Sequence, residues 1–215
     1  MKMAAWMLVV ILAGVASGEE PRAGAAKVDI TPPLGYAMWG YAARHDKPSV
    51  GVLDQLFARA LVVEAGTERI AIVSLDLGRA PTRRSTEAIR SRTKEKAGIE
   101  HLFLVASHTH HGPVVELDNW PSAQDSYVHE LERKISDAIC EAASRLTTAR
   151  FGLASKQVPF NRNRHSRLPS KPADRDLVLL RVEDPSGKPI AHLVNFAAHP
   201  VLTDGRVLKF SADYP

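Results

Sequence analysis

Cysteine is nearly absent from these 215 residues: Cys140 stands alone, so no internal disulfide can form and the fold must be held by its core. Aromatic residues are scarce, at 6%, and no stretch interleaves them with Lys and Arg. The formal net charge of +4 is a modest excess, with both signs interspersed. Nucleic acid is therefore excluded as a partner, because its binding needs a basic stripe to meet the phosphates. Long apolar runs are missing after the N-terminal eighteen residues, so no later segment reads as a transmembrane helix. Internal repeats and low-complexity tracts are missing as well, and the length allows one sizeable domain rather than two.

What is present begins with Lys2, the apolar stretch AAWMLVVILAGVA, and the small residues ASG ahead of EEPR. A positive start, an apolar core too short to span a bilayer comfortably and a small-residue junction describe an export signal over residues 1–18. The expectation is a secreted or periplasmic protein whose signal is cleaved and whose domain runs from 19 to 215. An uncleaved anchor is the alternative, and the cysteine of a lipoprotein is missing.

AAKVDITPP alternates and stops at two prolines, as a strand ending in a rigid turn does. Two β-type runs in LFARALVVEAGTERIAIVSLD flank EAGT, where Gly66 suits the turn of a hairpin. TRRSTEAIRSRTKEKAG carries a cap at Thr82 or Ser85 and a stop at Gly98, which predicts a polar surface helix. HLFLVAS is a continuous apolar run and predicts a strand buried on both faces. Val128, Leu131, Ile135, Ile139, Ala142 and Leu146 recur at helical spacing and predict an amphipathic helix between Ser122 and Leu146, with Cys140 packed on it. RFGLASKQVPF, DLVLLRVED and PIAHLVNFAAHP read as strands, the last two joined by a turn at PSGK. The fold class is α/β in the mixed α+β sense, a mixed sheet with hairpins flanked by helices. The chain stops at FSADYP directly after a strand and a loop, which reads as an incomplete domain whose polypeptide continues.

Chemistry concentrates in ASHTHHGP, where His108, His110 and His111 leave the HLFLVA run. In an extended backbone His108 and His110 share one side and His111 takes the other. Two imidazoles facing one pocket suit a borderline cation such as zinc, and the same residues also suit a polar turn. NFAAHP ends a second apolar run at His199, which by itself is better explained by an ordinary hydrogen-bonded histidine. Both lie at strand exits, where α/β proteins gather their sites. Asp76, in VSLDLG, lies at a third exit, where it could orient a ligand histidine or cap the next helix, the cap being preferred. The basic stretch NRNRHSRLPSK reads as a solvated loop.

The succession VDITPPLGYAMWGYA, LFARALVV, VSLDLG, SHTHHGP, FNRN and NFAAHP resembles the neutral, non-lysosomal ceramidase family, over nearly all of the chain beyond the signal. The resemblance implies zinc as cofactor, with His108 and His199 as metal ligands, and His110 beside the metal handling the water or the oxyanion. It implies that Arg162 of FNRN faces the active site, while Arg164 and Arg167 stay solvated. It implies an incomplete catalytic domain, since the family's glutamate and tyrosine ligands and its active-site serine fall beyond Pro215, so this chain should bind zinc weakly and turn over little. His111 stands where the family usually has serine. The implied reaction is hydrolysis of a linear amide C–N bond in an N-acyl sphingosine-type lipid, with a membrane surface among the places such a substrate could be met. A phosphoesterase-like metallohydrolase and a noncatalytic exported domain remain as alternatives, and the oligomeric state is left open.

Overall fold

The structure, a computed structural model, describes residues 20–44 and 47–214. The export-signal reading of residues 1–18 therefore lies outside the described residues. In chain order the elements are β1 (Arg22–Asp29), a 3-10 turn at Ala42–Arg44, β2 (Gly51–Val52), β3 (Phe57–Ala65), β4 (Glu68–Leu75) and α1 (Arg83–Ala97). There follow β5 (His101–Ala106), α2 (Asp125–Ser144), β6 (Thr147–Thr148), β7 (Arg150–Gln157), β8 (Asp176–Glu183), β9 (Pro189–Phe196) and β10 (Lys209–Phe210).

A five-stranded sheet runs in the order β5-β4-β3-β1-β6. β3 and β4 form the hairpin expected around Gly66, and α1 carries the chain over to β5, which pairs parallel to β4. Thr82 caps α1, its side chain accepting from Ser85 N–H, and Gly98 ends it with a left-handed φ of 65°. α1 buries only Ser85, Ile89 and Thr93, a stripe at four-residue spacing, as its polar sequence predicts. α2 lies against β1 and β3 and also against α1. It buries Val128, Leu131, Ile135, Ile139 and Ala142, together with Tyr127, whose hydroxyl donates to the Ile30 carbonyl at 2.8 Å.

Strand alternation divides the sheet into two faces. Ala58, Ala60 and Val62 of β3 and Ala71, Val73 and Leu75 of β4 join the helices in one core. On the other face Leu61 meets Ala23, Ala149 and Val182, where the antiparallel sheet β7-β8-β9 packs on the first. β5 corrects the expectation of a strand buried on both faces. It is an edge strand: Leu102, Leu104 and Ala106 turn to the core, while His101, Phe103 and Val105 are exposed, Phe103 by 56%. A continuous apolar run does not distinguish a central strand from an edge strand with an uncovered apolar face.

The two faces should differ in their response to truncation. Ile135→Ala, at a fully buried position, is expected to lower the unfolding free energy by about 2–5 kcal/mol. Phe103→Ser should change it by about 0.5 kcal/mol or less. Chemical denaturation of the two variants checks this contrast.

Candidate metal centre

β5 ends at Ala106, two residues before His108, and β9 ends at Phe196, three before His199, so both histidines sit on loops beyond the strands. Ser107 and His108 still donate their N–H groups to the carbonyls of Leu75 and Leu77, at 2.9 and 3.0 Å. The turn is thereby laid along the exit of β4. His108 has a φ of 67°, a left-handed backbone uncommon outside glycine. His108 and His110 face one pocket and His111 is fully buried, the separation that alternation predicts, reached through a kinked rather than an extended chain.

His199 closes the group. The rings of His108, His110 and His199 lie 4.6 to 5.2 Å apart, and one ligand nitrogen from each falls within 4.8 Å of the others. The three could hold a metal ion, since imidazole nitrogen is a borderline donor. Both ring nitrogens of His110 are buried without a hydrogen-bond partner among the described residues, an arrangement that costs free energy unless a ligand satisfies one of them. Burial first, then the charges of His199, His108 and Arg44, push the His110 pKa down to about 4, so its ring is neutral at pH 7. Burial, then Arg164 and His108, lower that of His199. Neutral imidazole is the form that binds metals.

The Gly78 carbonyl accepts from His108 Nδ1 at 3.0 Å. A carbonyl can only accept, so the proton is on Nδ1 and the Nε2 lone pair is left for a ligand. Asp76 does neither of the things its position suggested. It is buried on the sheet, accepting from Phe57 N–H at 2.8 Å and from Arg59 at 2.7 and 2.8 Å, while α1 is capped by Thr82. The orienting group lies two residues on, in the backbone.

GYAMWGYA forms an aromatic wall. Trp39 sits edge-on to His108 and His110, at 4.9 and 5.3 Å, and Tyr41 to His110 at 4.9 Å. The close packing needs glycine on both sides: a Cβ on Gly78 would fall 2.1 Å from the Trp39 ring, and one on Gly40, whose φ is 116°, would meet His110 at 2.6 Å. Behind the wall the buried Arg44 donates to the carbonyls of Trp39, His110, Gly205 and Val207 and stacks on Tyr41. His111 donates from Nε2 to the Asp204 carbonyl at 3.2 Å, which accounts for an imidazole at this inward position.

FSADY, legible in the sequence only as the point where the chain stops, ties the two histidine loops together. Ser211 N–H donates to the His111 carbonyl at 3.1 Å, and Thr109 Oγ1 donates to the Ser211 carbonyl at 2.8 Å. Asp213 accepts from Leu202 and Thr203 N–H, and the Tyr214 hydroxyl donates to the Ala198 carbonyl, just before His199. Arg162, expected to face the site, and Arg164 of the same loop are both exposed. The loop guanidinium whose charge is felt at His199 and Tyr41 is that of Arg164.

Residues 22–213 match the model of the family described as neutral/alkaline non-lysosomal ceramidase, N-terminal. The chain belongs to this ceramidase family. Its fold is also that of solved ceramidases. A crystal structure of neutral ceramidase from Pseudomonas aeruginosa matches with a TM-score of 0.78 and 25% identity, over 90% of this chain and 34% of that one. A ceramidase complexed with C2 matches with a TM-score of 0.78 and 23% identity, over 90% of this chain and 33% of that one. The chain thus spans about a third of the length of these two ceramidases.

Sequence reasoning missed Arg44, Trp39, Tyr41 and Asp213 as supports of the ceramidase-type site. GYAMWGYAAR did hold a signal, two glycine–aromatic pairs followed by an arginine, but nothing local says that these side chains meet residues 66 to 163 positions away. Arg44→Ala is expected to lower the unfolding free energy by about 2–4 kcal/mol, because buried carbonyls lose their donor. Arg44→Lys, lacking the planar fork, should recover less than half of that. Thermal and denaturant unfolding of both variants gives the measurement.

Proposed function

We propose that this chain provides the histidine half of a zinc-dependent amide hydrolase acting on N-acyl sphingosine-type lipids, releasing fatty acid and amine. The observation that carries the reading is the convergence of His108, His110 and His199 from two loops into one group of imidazoles, with His110 neutral at pH 7, in a chain of ceramidase family and fold. The structural match to a ceramidase complexed with C2 supports a lipid amide as the substrate class. An exported location follows from the residue 1–18 pattern and belongs to the proposal.

In this reading His108 and His199 hold the zinc, which when bound supplies Lewis acidity toward the amide carbonyl and the attacking water. His108 is fixed for the purpose by its bond to the Gly78 carbonyl. His110, neutral and without a partner, takes the proton of the water at one ring nitrogen and returns it to the leaving amine. Positive charge for the developing oxyanion is assigned to the FNRN loop, from Arg162 as the resemblance implies or from Arg164, which is among the charges that lower the His199 pKa. Trp39 and Tyr41 keep water from the pocket's inner side and hold the His110 ring upright.

Elemental analysis and hydrolysis of an N-acyl sphingosine separate these roles. His108→Ala and His199→Ala should each lose bound zinc. His110→Ala should keep zinc and lose about 10²–10⁴-fold in turnover. Loss of zinc in His110→Ala as well would make His110 a third ligand, and unchanged zinc content in His108→Ala and His199→Ala would overturn the assignment. Of Arg162→Ala and Arg164→Ala, the one that removes the oxyanion's charge should cost about 10²-fold in turnover and the other less than about threefold.

A further inference from the structure

The loop of residues 158–175, between β7 and β8, is an assembled surface rather than a slack connection. Asn161 donates from Nδ2 to the carbonyls of Asp174 and Ala197, and Asn163 donates to the Pro172 carbonyl at 2.7 Å while accepting from His165 and Ser166 N–H. The Ala197 bond joins this loop to the His199 loop.

What these bonds hold outward is of two kinds. Phe160 is 77% exposed and Leu168 59%, and Leu202, on the adjoining loop, is 80% exposed. Scattered single apolar residues need no explanation, but large ones gathered on two joined loops beside a pocket mark an interaction site. Among them stand Arg162, Arg164, Arg167, Lys171 and Arg175 against one carboxylate, Asp174, a surplus equal to the +4 of the entire chain. Elsewhere Arg22, Arg59, Arg69, Arg79 and Arg206 are each engaged by a carboxylate, while Arg83, Arg84, Arg150 and Lys188 form no such ion pair among the described residues but are not clustered in one loop. Among the described residues, none of the five basic residues of this loop forms such a pair.

We infer that this surface docks on an anionic lipid bilayer, with Phe160, Leu168 and Leu202 entering the headgroup boundary and the unpaired basic side chains meeting lipid phosphates. Membrane attachment of useful strength takes two signals together, buried apolar area and basic charge, and the loop supplies both. A soluble polyanion would use the charges and leave the apolar side chains idle. The inference deepens the lipid-amide reading and rests on it for its purpose, since docking here would bring the histidine pocket to the substrate's own phase.

The test is co-sedimentation of the full-length chain with vesicles free of any N-acyl amide and without added zinc, so that it does not depend on hydrolysis. Vesicles of phosphatidylcholine alone are compared with vesicles holding about a third phosphatidylglycerol, at about 0.1 M and about 1 M salt, where the screening length falls from about 10 Å to about 3 Å. Binding should require the anionic lipid and weaken at high salt. Arg167→Ala and Lys171→Ala should each weaken it about fivefold, and Phe160→Ser with Leu168→Ser about tenfold or more, with unchanged thermal unfolding. Equal binding to both vesicle types, variants that bind like the parent, or retention on a sulfated polysaccharide that ignores Phe160 and Leu168 would overturn the proposal. Failed hydrolysis with intact vesicle binding would instead count against the reading of the histidine pocket.

Discussion

One buried guanidinium holds the site together. Arg44 reaches carbonyls of Trp39, His110, Gly205 and Val207, three segments far apart in sequence, the first two of which also pair at the Met38–Pro113 bridge, and no carboxylate among the described residues neutralises it. A cation taken out of water is tolerable only if its donors are met, and several carbonyl dipoles aimed at one planar fork come near to doing so. The constraint is reciprocal. The carbonyls fix the guanidinium, and the guanidinium fixes the aromatic loop, the histidine turn and the 205–207 loop at one mutual distance.

Around that fixed point the sheets serve as a frame and the loops carry the chemistry. β4 and β5 deliver Gly78 and His108 from neighbouring exits, so the acceptor that sets the His108 tautomer arrives with the strand beside it. His199 comes from the second sheet and is steadied by the 211–214 segment, which touches both loops. The electrostatics are those of a crowded positive site: burial and neighbouring cations both disfavour protonated imidazole. A neutral His110 beside the buried Arg44 is in the form that takes a metal ion.

Much of the local structure was legible in the chain. Gly66 between two β-type runs, Thr82 and Gly98 around a polar helix, and the Val128 to Ala142 stripe each concern residues a few positions apart, whose geometry depends on backbone sterics and periodicity. β5 was misjudged because apolarity says that a side chain avoids water, not which neighbour covers it, and Phe103 has no such neighbour here. Asp76 was misjudged for a similar reason. Its partner Arg59 lies across a hairpin on the next strand, at a register that the sequence does not display.

The succession of motifs from VDITPP to NFAAHP carried the ceramidase resemblance, and it was the resemblance that implied His108 and His199 as ligands, since the histidine cluster by itself suited a polar turn as well. Tertiary structure alone decided that His110 joins them without a partner for either nitrogen, that His111 is a buried brace, and that a carbonyl rather than Asp76 sets the His108 tautomer. The physical reason is distance along the chain. Contacts within a turn are dictated by neighbouring residue types, whereas a contact across 90 or more positions exists only once core burial has fixed how the two sheets and their loops meet.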